Sequence, residues 1–252
     1  MGFPKDDSFL RVTALVKKFG ALAAVNGIDF DLRKGELRSI IGPNGAGKTT
    51  FFNILTGGFP PTEGKVYFKG EDITGLSPDR ITRKGIGRSF QVTSIFPNLT
   101  ALENVQPAIQ SRLGLPNPFR NLWSRRETWD KAEEILETVG LFARRDVRVT
   151  EMSHGEQKLV DIAIALAGDP ELLLLDEPTA GLSAVETRAM SEKIRALAER
   201  RTIVLVEHDM KVVMSLAQKI SVFHQGMVLA EGTPEEIRSN QEVRRVYLTR
   251  GA

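Results

Sequence analysis

Eight consecutive residues constrain this chain more than any others. Gly42-Pro43-Asn44-Gly45-Ala46-Gly47-Lys48-Thr49 fits Gly-x-x-x-x-Gly-Lys-Ser/Thr in full. Such a loop works in one setting, between a strand and a helix. Its glycines let the backbone wrap closely around phosphates with N–H groups turned inward, and the helix adds its positive N-terminal end. The flanks supply that setting. Residues 36–41 read as an apolar strand, and 48–56 as a helix stopped by Gly57-Gly58. Lys48 is expected to reach the β- and γ-phosphates of ATP, and the Thr49 hydroxyl to bind Mg²⁺. A Gly-rich turn without function is the competing reading, and the flanking strand and helix weigh against it.

A second apolar strand ends in acids, Leu172-Leu173-Leu174-Leu175-Asp176-Glu177. A carboxylate at the end of a buried strand, opposite a phosphate loop, can hold Mg²⁺ through water, which suits Asp176. Glu177 is then placed to polarise the attacking water. Asp-Glu-Pro is also good turn chemistry, so this pair gains its meaning from the phosphate loop.

The rest of the composition bounds the chain. It has 252 residues, 41% hydrophobic and 26% charged, ordinary for a globular protein. Lys plus Arg is 34 against 32 acids, so the net charge of +2 gives no reason to expect nucleic acid. There is no cysteine, which excludes disulfides and thiolate metal sites. No apolar run approaches the roughly 18 residues of a membrane span, and the first residues lack the apolar core of a signal peptide. Any work at a membrane needs another polypeptide to hold the chain there.

Residues 9–40 read as an antiparallel, strand-rich start, with strands at 10–16, 30–32 and 36–41. Gly64–Lys69 is another strand. From 91 to 157 the character changes: Pro97, Pro107, Pro116 and Pro118 punctuate it, and 128–139 has helical apolar spacing. This reads as a helical insertion. Strands at 172–175 and 203–206, joined by a helix at 185–200, resume an α/β core with a mostly parallel sheet. A hairpin around His224-Gln225-Gly226 and a capping box at Thr233-Pro234-Glu235-Glu236 close the chain.

Met152-Ser153-His154-Gly155-Glu156-Gln157 opens another helix. Ser153 with Glu156 three residues on makes a capping box, a helix start and nothing more. A helix N-terminus with exposed Ser and Gly is also an anion site. Spacing alone does not separate the two.

Here the chain resembles a family. Ser153-x-Gly155-x-Gln157 lies nineteen residues before the 176–177 acids, and it is similar to the signature of ATP-binding cassette (ABC) ATPases. Gln91, after Ser89-Phe90, stands where the family's Q-loop belongs. Ala180-Gly181-Leu182-Ser183 stands as the D-loop, and Glu207-His208-Asp209 carries the switch histidine. Phe19 occupies the place of the aromatic that stacks on adenine. The resemblance implies a P-loop NTPase (RecA-like) α/β core, over 1–90 and 158–230. It adds an antiparallel β subdomain, a helical subdomain at 91–157 and a tail at 231–252.

It also implies a mechanism. Two such subunits pack head to tail as a homo- or heterodimer, each ATP lying between one phosphate loop and the other subunit's signature. Phe19, Val25, residues 42–49 and Thr50 then hold ATP on one side, and Ser153, Gly155 and Gln157 complete it from the other. Thr49, Gln91 and Asp176 serve Mg²⁺, while Glu177, His208, Gln91 and Lys48 serve hydrolysis. Four positions depart from the commonest form. Phe19 replaces Tyr, His154 and Glu156 replace Gly and Gln, and Ser183 replaces the D-loop Asp.

Finer stretches narrow the resemblance. Residues 19–25, 51–57, 70–76, 110–127, 207–214 and 232–236 are similar to the ATPase subunits of branched-chain amino acid importers. Importers of amides and urea share them; a lipid exporter ATPase and a non-transport ABC ATPase are the remaining alternatives. The partners implied are permease subunits and, through them, a solute-binding protein, with the chain on the cytoplasmic face of the membrane. Phe96-Pro97-Asn98-Leu99 lies where the family meets the permease. Trp123 and Trp129 flanking Arg125-Arg126 read as a loop packing on the insertion rather than as a nucleic-acid site.

Overall fold

Apolar residues alternate with polar ones along the first strands and run unbroken along the later ones, and the chain sorts itself accordingly. The computed structural model describes residues 8–89, 95–112 and 122–248, with side chains over 8–89, 95–112 and 126–246. In chain order come β1 (Leu10–Phe19), β2 (Leu22–Leu32), β3 (Leu37–Ile41), α1 (Lys48–Leu55), β4 (Glu63–Phe68), β5 (Glu71–Asp72), α2 (Pro78–Arg83) and β6 (Ile86–Arg88). Then come α3 (Ala101–Arg112), α4 (Leu122–Val139), α5 (His154–Leu166), β7 (Leu172–Asp176) and α6 (Ala184–Ala198). Last are β8 (Thr202–Val206), α7 (Met210–Leu216), β9 (Lys219–His224), β10 (Met227–Gly232), α8 (Pro234–Ser239) and α9 (Gln241–Leu248). The chain divides into two compact units, one of residues 1–81 with 198–252, the other of 82–197.

The first unit holds two sheets. β2-β1-β4-β5 is antiparallel throughout. Leu10, Val12 and Leu15 of β1 are buried while their neighbours are less so, the mark of a one-sided sheet. Ala14 breaks the register at φ 44°, and its N–H donates to Asp29 Oδ1 at 2.8 Å, which fixes the bulge. In the second sheet β3 pairs in parallel with β8 and β9, and β10 returns antiparallel to β9. β3 and β8 are buried along their whole length, as parallel strands are. β3 therefore does not belong with the antiparallel start, as the reading of 9–40 had it.

α1 ties these sheets together. Phe51 on α1 meets Phe30 of β2 and Phe223 of β9 edge-to-face, each with centroids 5.3 Å apart. The helix that follows the phosphate loop is thus pinned from two sides.

In the second unit β6 and β7 pair in parallel. The helices α3, α4 and α5 pack on one another. Pro107 lies inside α3 instead of ending it. It costs one backbone donor, and burial of Ala101, Leu102, Val105 and Ile109 carries the helix through. α4 begins at Leu122, six residues before the periodicity at 128 suggests.

Candidate functional site

The phosphate loop begins where β3 ends. Gly42 is required by close approach: a Cβ there would lie 2.3 Å from the Phe223 carbonyl oxygen. Gly47 is required twice over, by φ of 100° and by a Cβ position 2.4 Å from the Ala24 carbonyl oxygen. The loop is built against its surroundings by backbone bonds. Ala46 N–H donates to Pro43 O at 3.1 Å, Gly226 N–H to Ala46 O at 3.1 Å, and Asn26 N–H to Gly226 O at 2.8 Å. The β9–β10 turn therefore clamps the loop onto β2.

Lys48 is buried, and its ammonium donates to the carbonyls of Gly42 (2.7 Å) and Pro43 (3.1 Å). These bonds swing the cation back across the loop it serves. Asn44, Gly45 and Thr49 are exposed, Thr50 is half-buried, and no acid occupies the first turn of α1. The positive end of the helix is left for an anion.

Phe19 is 48% exposed at the end of β1. Its edge meets Phe59 at 5.4 Å and Lys17 lies 5.3 Å from its centroid, which leaves an aromatic surface in water. Val25 is fully buried on β2 beside Ala24, the residue that abuts Gly47. His208 is exposed just after β8, its N–H donating to buried Glu207 at 3.1 Å; Asp209 then caps α7 through the Lys211 N–H at 2.7 Å.

The acids lie in the second unit. Asp176 closes β7 with its side chain buried, and Arg88, at the end of β6, donates to its Oδ2 at 2.8 Å. Glu177 follows at φ 51°, in the left-handed region. A non-glycine residue there stores on the order of 1 kcal/mol. Its carbonyl accepts from Lys158 Nζ at 2.9 Å and from Ala180 N–H at 3.2 Å, bonds that hold the strained turn. Among the described residues no three His, Cys, Asp or Glu side chains gather as a metal site. A Mg²⁺ held by nucleotide phosphates needs only one or two protein oxygens and keeps several waters. In the second unit the Asp176 carboxylate is an oxygen donor of that kind; in the first unit the exposed Thr49 hydroxyl is another.

The start of α5 forms the capping box that its sequence predicts. Ser153 Oγ accepts from Glu156 N–H at 3.2 Å and Glu156 Oε2 accepts from Ser153 N–H at 2.8 Å, so the capping box is formed. Ser153 is nevertheless exposed and Gly155 has its Cβ face against Glu186. Gln157 donates to the carbonyls of Val149 (3.2 Å) and Met152 (3.1 Å), fixing how the chain enters the helix. Gln91 lies outside the described residues, as do the side chains of Trp123 and Arg125.

Comparison with known proteins decides the family. The ABC transporter profile matches residues 25–180, well over half of the chain. The chain belongs to the ABC transporter family. Its C-terminal segment, 227–248, matches a second profile described as branched-chain amino acid ATP-binding cassette transporter. The high-affinity branched-chain amino acid transport ATP-binding protein LivG of Salmonella typhimurium is 42% identical over 95% of this chain and 97% of its own. BraF of Pseudomonas aeruginosa, which carries the same description, is 42% identical with the same coverage. An ATP-binding cassette of an ABC transporter in its ADP conformation superposes with TM-score 0.84 at 32% identity, over 96% of this chain and 98% of that one. A dimeric bacterial ABC transporter cassette gives 0.76 at 30%, over 89% and 98%. The cassette is an ATPase of this family, and its fold is that of a P-loop NTPase with an antiparallel and a parallel sheet.

Three residues of the cassette escaped the sequence. Arg88 and Lys158 act through contacts 88 and 19 residues away, which no local pattern carries. Glu186 had a readable sign, since Ser183-x-x-Glu186 is itself a capping pattern.

Proposed function

We propose that the cassette is the ATP-hydrolysing subunit that energises an importer of branched-chain amino acids. The observation that carries this is the 42% identity to LivG and BraF over nearly the whole of both chains; the match at 227–248 supports it. Importers of amides or urea are the alternative within the family. Purifying the cassette with its membrane partners and reconstituting them in vesicles tests the choice. Leucine, isoleucine and valine should stimulate ATP turnover; stimulation by urea or an amide alone would overturn the solute.

In this reading the 42–49 loop, Thr50 and Val25 cradle the phosphates, and Phe19 stacks on the adenine through its exposed face. Lys48 leaves the Gly42 and Pro43 carbonyls for the β- and γ-phosphates. Thr49, Asp176 and Gln91 would hold Mg²⁺, which would supply charge neutralisation at the transferring phosphoryl group. Glu177 polarises the attacking water, and His208 grips the γ-phosphate or Glu177. Ser153 and Gly155 reach across to the ATP of a second subunit, the dimer of the solved cassettes being the precedent. Gln157 serves that role through the helix entry it pins. The described helices α3 and α4, within the 91–157 stretch, belong to the helical subdomain that faces the permease, on the cytoplasmic side of the membrane. No described helix is long and apolar enough to cross it.

Lys48→Ala should weaken ATP binding roughly 10- to 100-fold, the worth of a charge-assisted contact to phosphate. Titration with a fluorescent ATP analogue reads this directly, and undiminished affinity would remove Lys48 from the site.

The permease contact falls at 96–99. Phe96 is 57% exposed, and Leu99 is also exposed. Buried Asn104 holds this segment in shape, accepting from Phe96 N–H at 2.6 Å and donating to Phe96 O at 3.1 Å. Two apolar side chains exposed three residues apart in one hydrogen-bonded segment suit a docking contact. Phe96→Asp should leave ATP affinity unchanged and reduce recovery of the permease complex at least about tenfold; equal recovery would place the contact elsewhere.

A further inference from the structure

One carboxylate links the D-loop to the signature. Glu186 lies in the first turn of α6. Its Oε2 accepts from the Ser183 N–H at 3.0 Å and from the Ser183 hydroxyl at 2.7 Å, and the Glu186 N–H donates back to Ser183 Oγ at 3.4 Å. That box uses one oxygen. The other, Oε1, faces the start of α5: a Cβ on Gly155 would lie 3.2 Å from it. Glycine at 155 is what allows the carboxylate to come so close. The neighbouring contact is equally tight, since a Cβ on Gly181 would lie 3.0 Å from His154 Cε1. Residues 153–155 and 181–186 are one packed patch.

The carboxyl of Glu186 is held below the usual carboxylate range. The Ser183 hydroxyl and N–H are the main cause, and the Gly155 N–H and Ser153 hydroxyl add to it. It is an anion at neutral pH. The last two groups are also those proposed above to reach a second subunit's ATP, whose γ-phosphate they would meet.

We propose that Glu186 is an internal neighbour of the signature's anion site, its carboxylate packed against the Ser153–Gly155 turn in the single subunit and giving way to the partner's γ-phosphate on dimerisation. The inference rests on the dimer reading. A helix N-terminus favours an anion, and its exposed N–H groups need a partner. Glu186 supplies the anion from within. A phosphate brought to the same donors meets a carboxylate already there, and two anions at that distance repel. The carboxylate has somewhere to go, because Ser183 keeps its other oxygen. The contact therefore raises the ATP concentration at which two subunits close, and it opposes closure without a full γ-phosphate.

The test compares Glu177→Gln with Glu177→Gln/Glu186→Gln and Glu177→Gln/Glu186→Ala, following dimer formation by sedimentation as Mg-ATP is raised. Both double variants should close at an ATP concentration about three- to thirtyfold lower, since each charge at a helix N-terminus is worth a factor of roughly two to five and a dimer contains two. The gap should narrow in about 1 M salt, where charge at an exposed site is screened. An unchanged or higher midpoint in either double variant, or a gap indifferent to salt, overturns the proposal. If Glu177→Gln alone never dimerises, the dimer reading itself falls. Dimerisation with no effect of Glu186 sinks only the present inference. Circular dichroism on each variant shows that the fold is intact before the midpoints are compared.

Discussion

Glu177→Gln should lower ATP turnover by roughly 10²- to 10⁴-fold, the usual worth of a positioned general base, and should accumulate an ATP-bound dimer on size exclusion. The substitution keeps shape and length and removes only the basic oxygen. It also keeps the backbone. Glu177 sits at φ 51°, which Gln tolerates about as well as Glu, and the bonds from Lys158 and Ala180 go to its carbonyl, not its side chain. Lost activity in this variant therefore reports chemistry rather than folding. Glu177→Gly separates the two further. Glycine relieves the left-handed strain, so that variant should melt no lower than the parent while being equally inactive. A chain that keeps a strained residue where glycine would be easier is holding a side chain in place. Wild-type turnover in Glu177→Gln would end the assignment.

What could be read beforehand was what is local. The phosphate loop, the Ser153 and Thr233 capping boxes and the strands at 172–175 and 203–206 depend on neighbours in sequence, and each formed within a residue or two of where the pattern placed it. Long-range choices were harder. β3 follows the antiparallel strands directly in sequence, and nothing local marks it as parallel. The structure buries its Arg38, and the strand is parallel. β6 escaped notice because three residues, Ile86–Arg88, carry no period. α3 was hidden by Pro107, whose local cost is outweighed by packing against α4 and α5. The same logic divides the candidate site. Lys48, Thr49 and Glu177 follow from motif chemistry. Arg88 on Asp176 and Glu186 at Gly155 come from contacts between distant segments and emerge only in three dimensions.

Arg38 also carries the largest stability effect expected here, outside the nucleotide chemistry. Its side chain is 2% exposed, and its guanidinium is used in every direction. Nε meets Glu36 at 2.6 Å, Nη1 meets Glu231 at 2.9 Å and Ser221 Oγ at 3.0 Å, and Nη2 meets the Asp31 carbonyl at 3.1 Å. The plane also lies over Phe30, 5.2 Å from the ring centroid. Arg38→Ala takes the buried cation from Glu36 and leaves Glu231 with only the Lys219 cation, 3.5 Å away. Breaking such a network from one side costs about 3–5 kcal/mol, which in a chain of this size lowers the melting midpoint by roughly 10 °C. Arg38→Lys should recover little of it, because one ammonium cannot span four acceptors set by a planar fork. Arg38→Met combined with Glu36→Gln and Glu231→Gln should recover much more, since removing the whole network also removes the desolvated charges. Urea denaturation orders these variants. β3 enters the phosphate loop four residues further on, more than about 10 Å along the strand. The folded fraction of each variant should therefore bind ATP with the parent's affinity. A drop in affinity that outpaces the loss of stability would make Arg38 part of the nucleotide site rather than of the sheet that supports it.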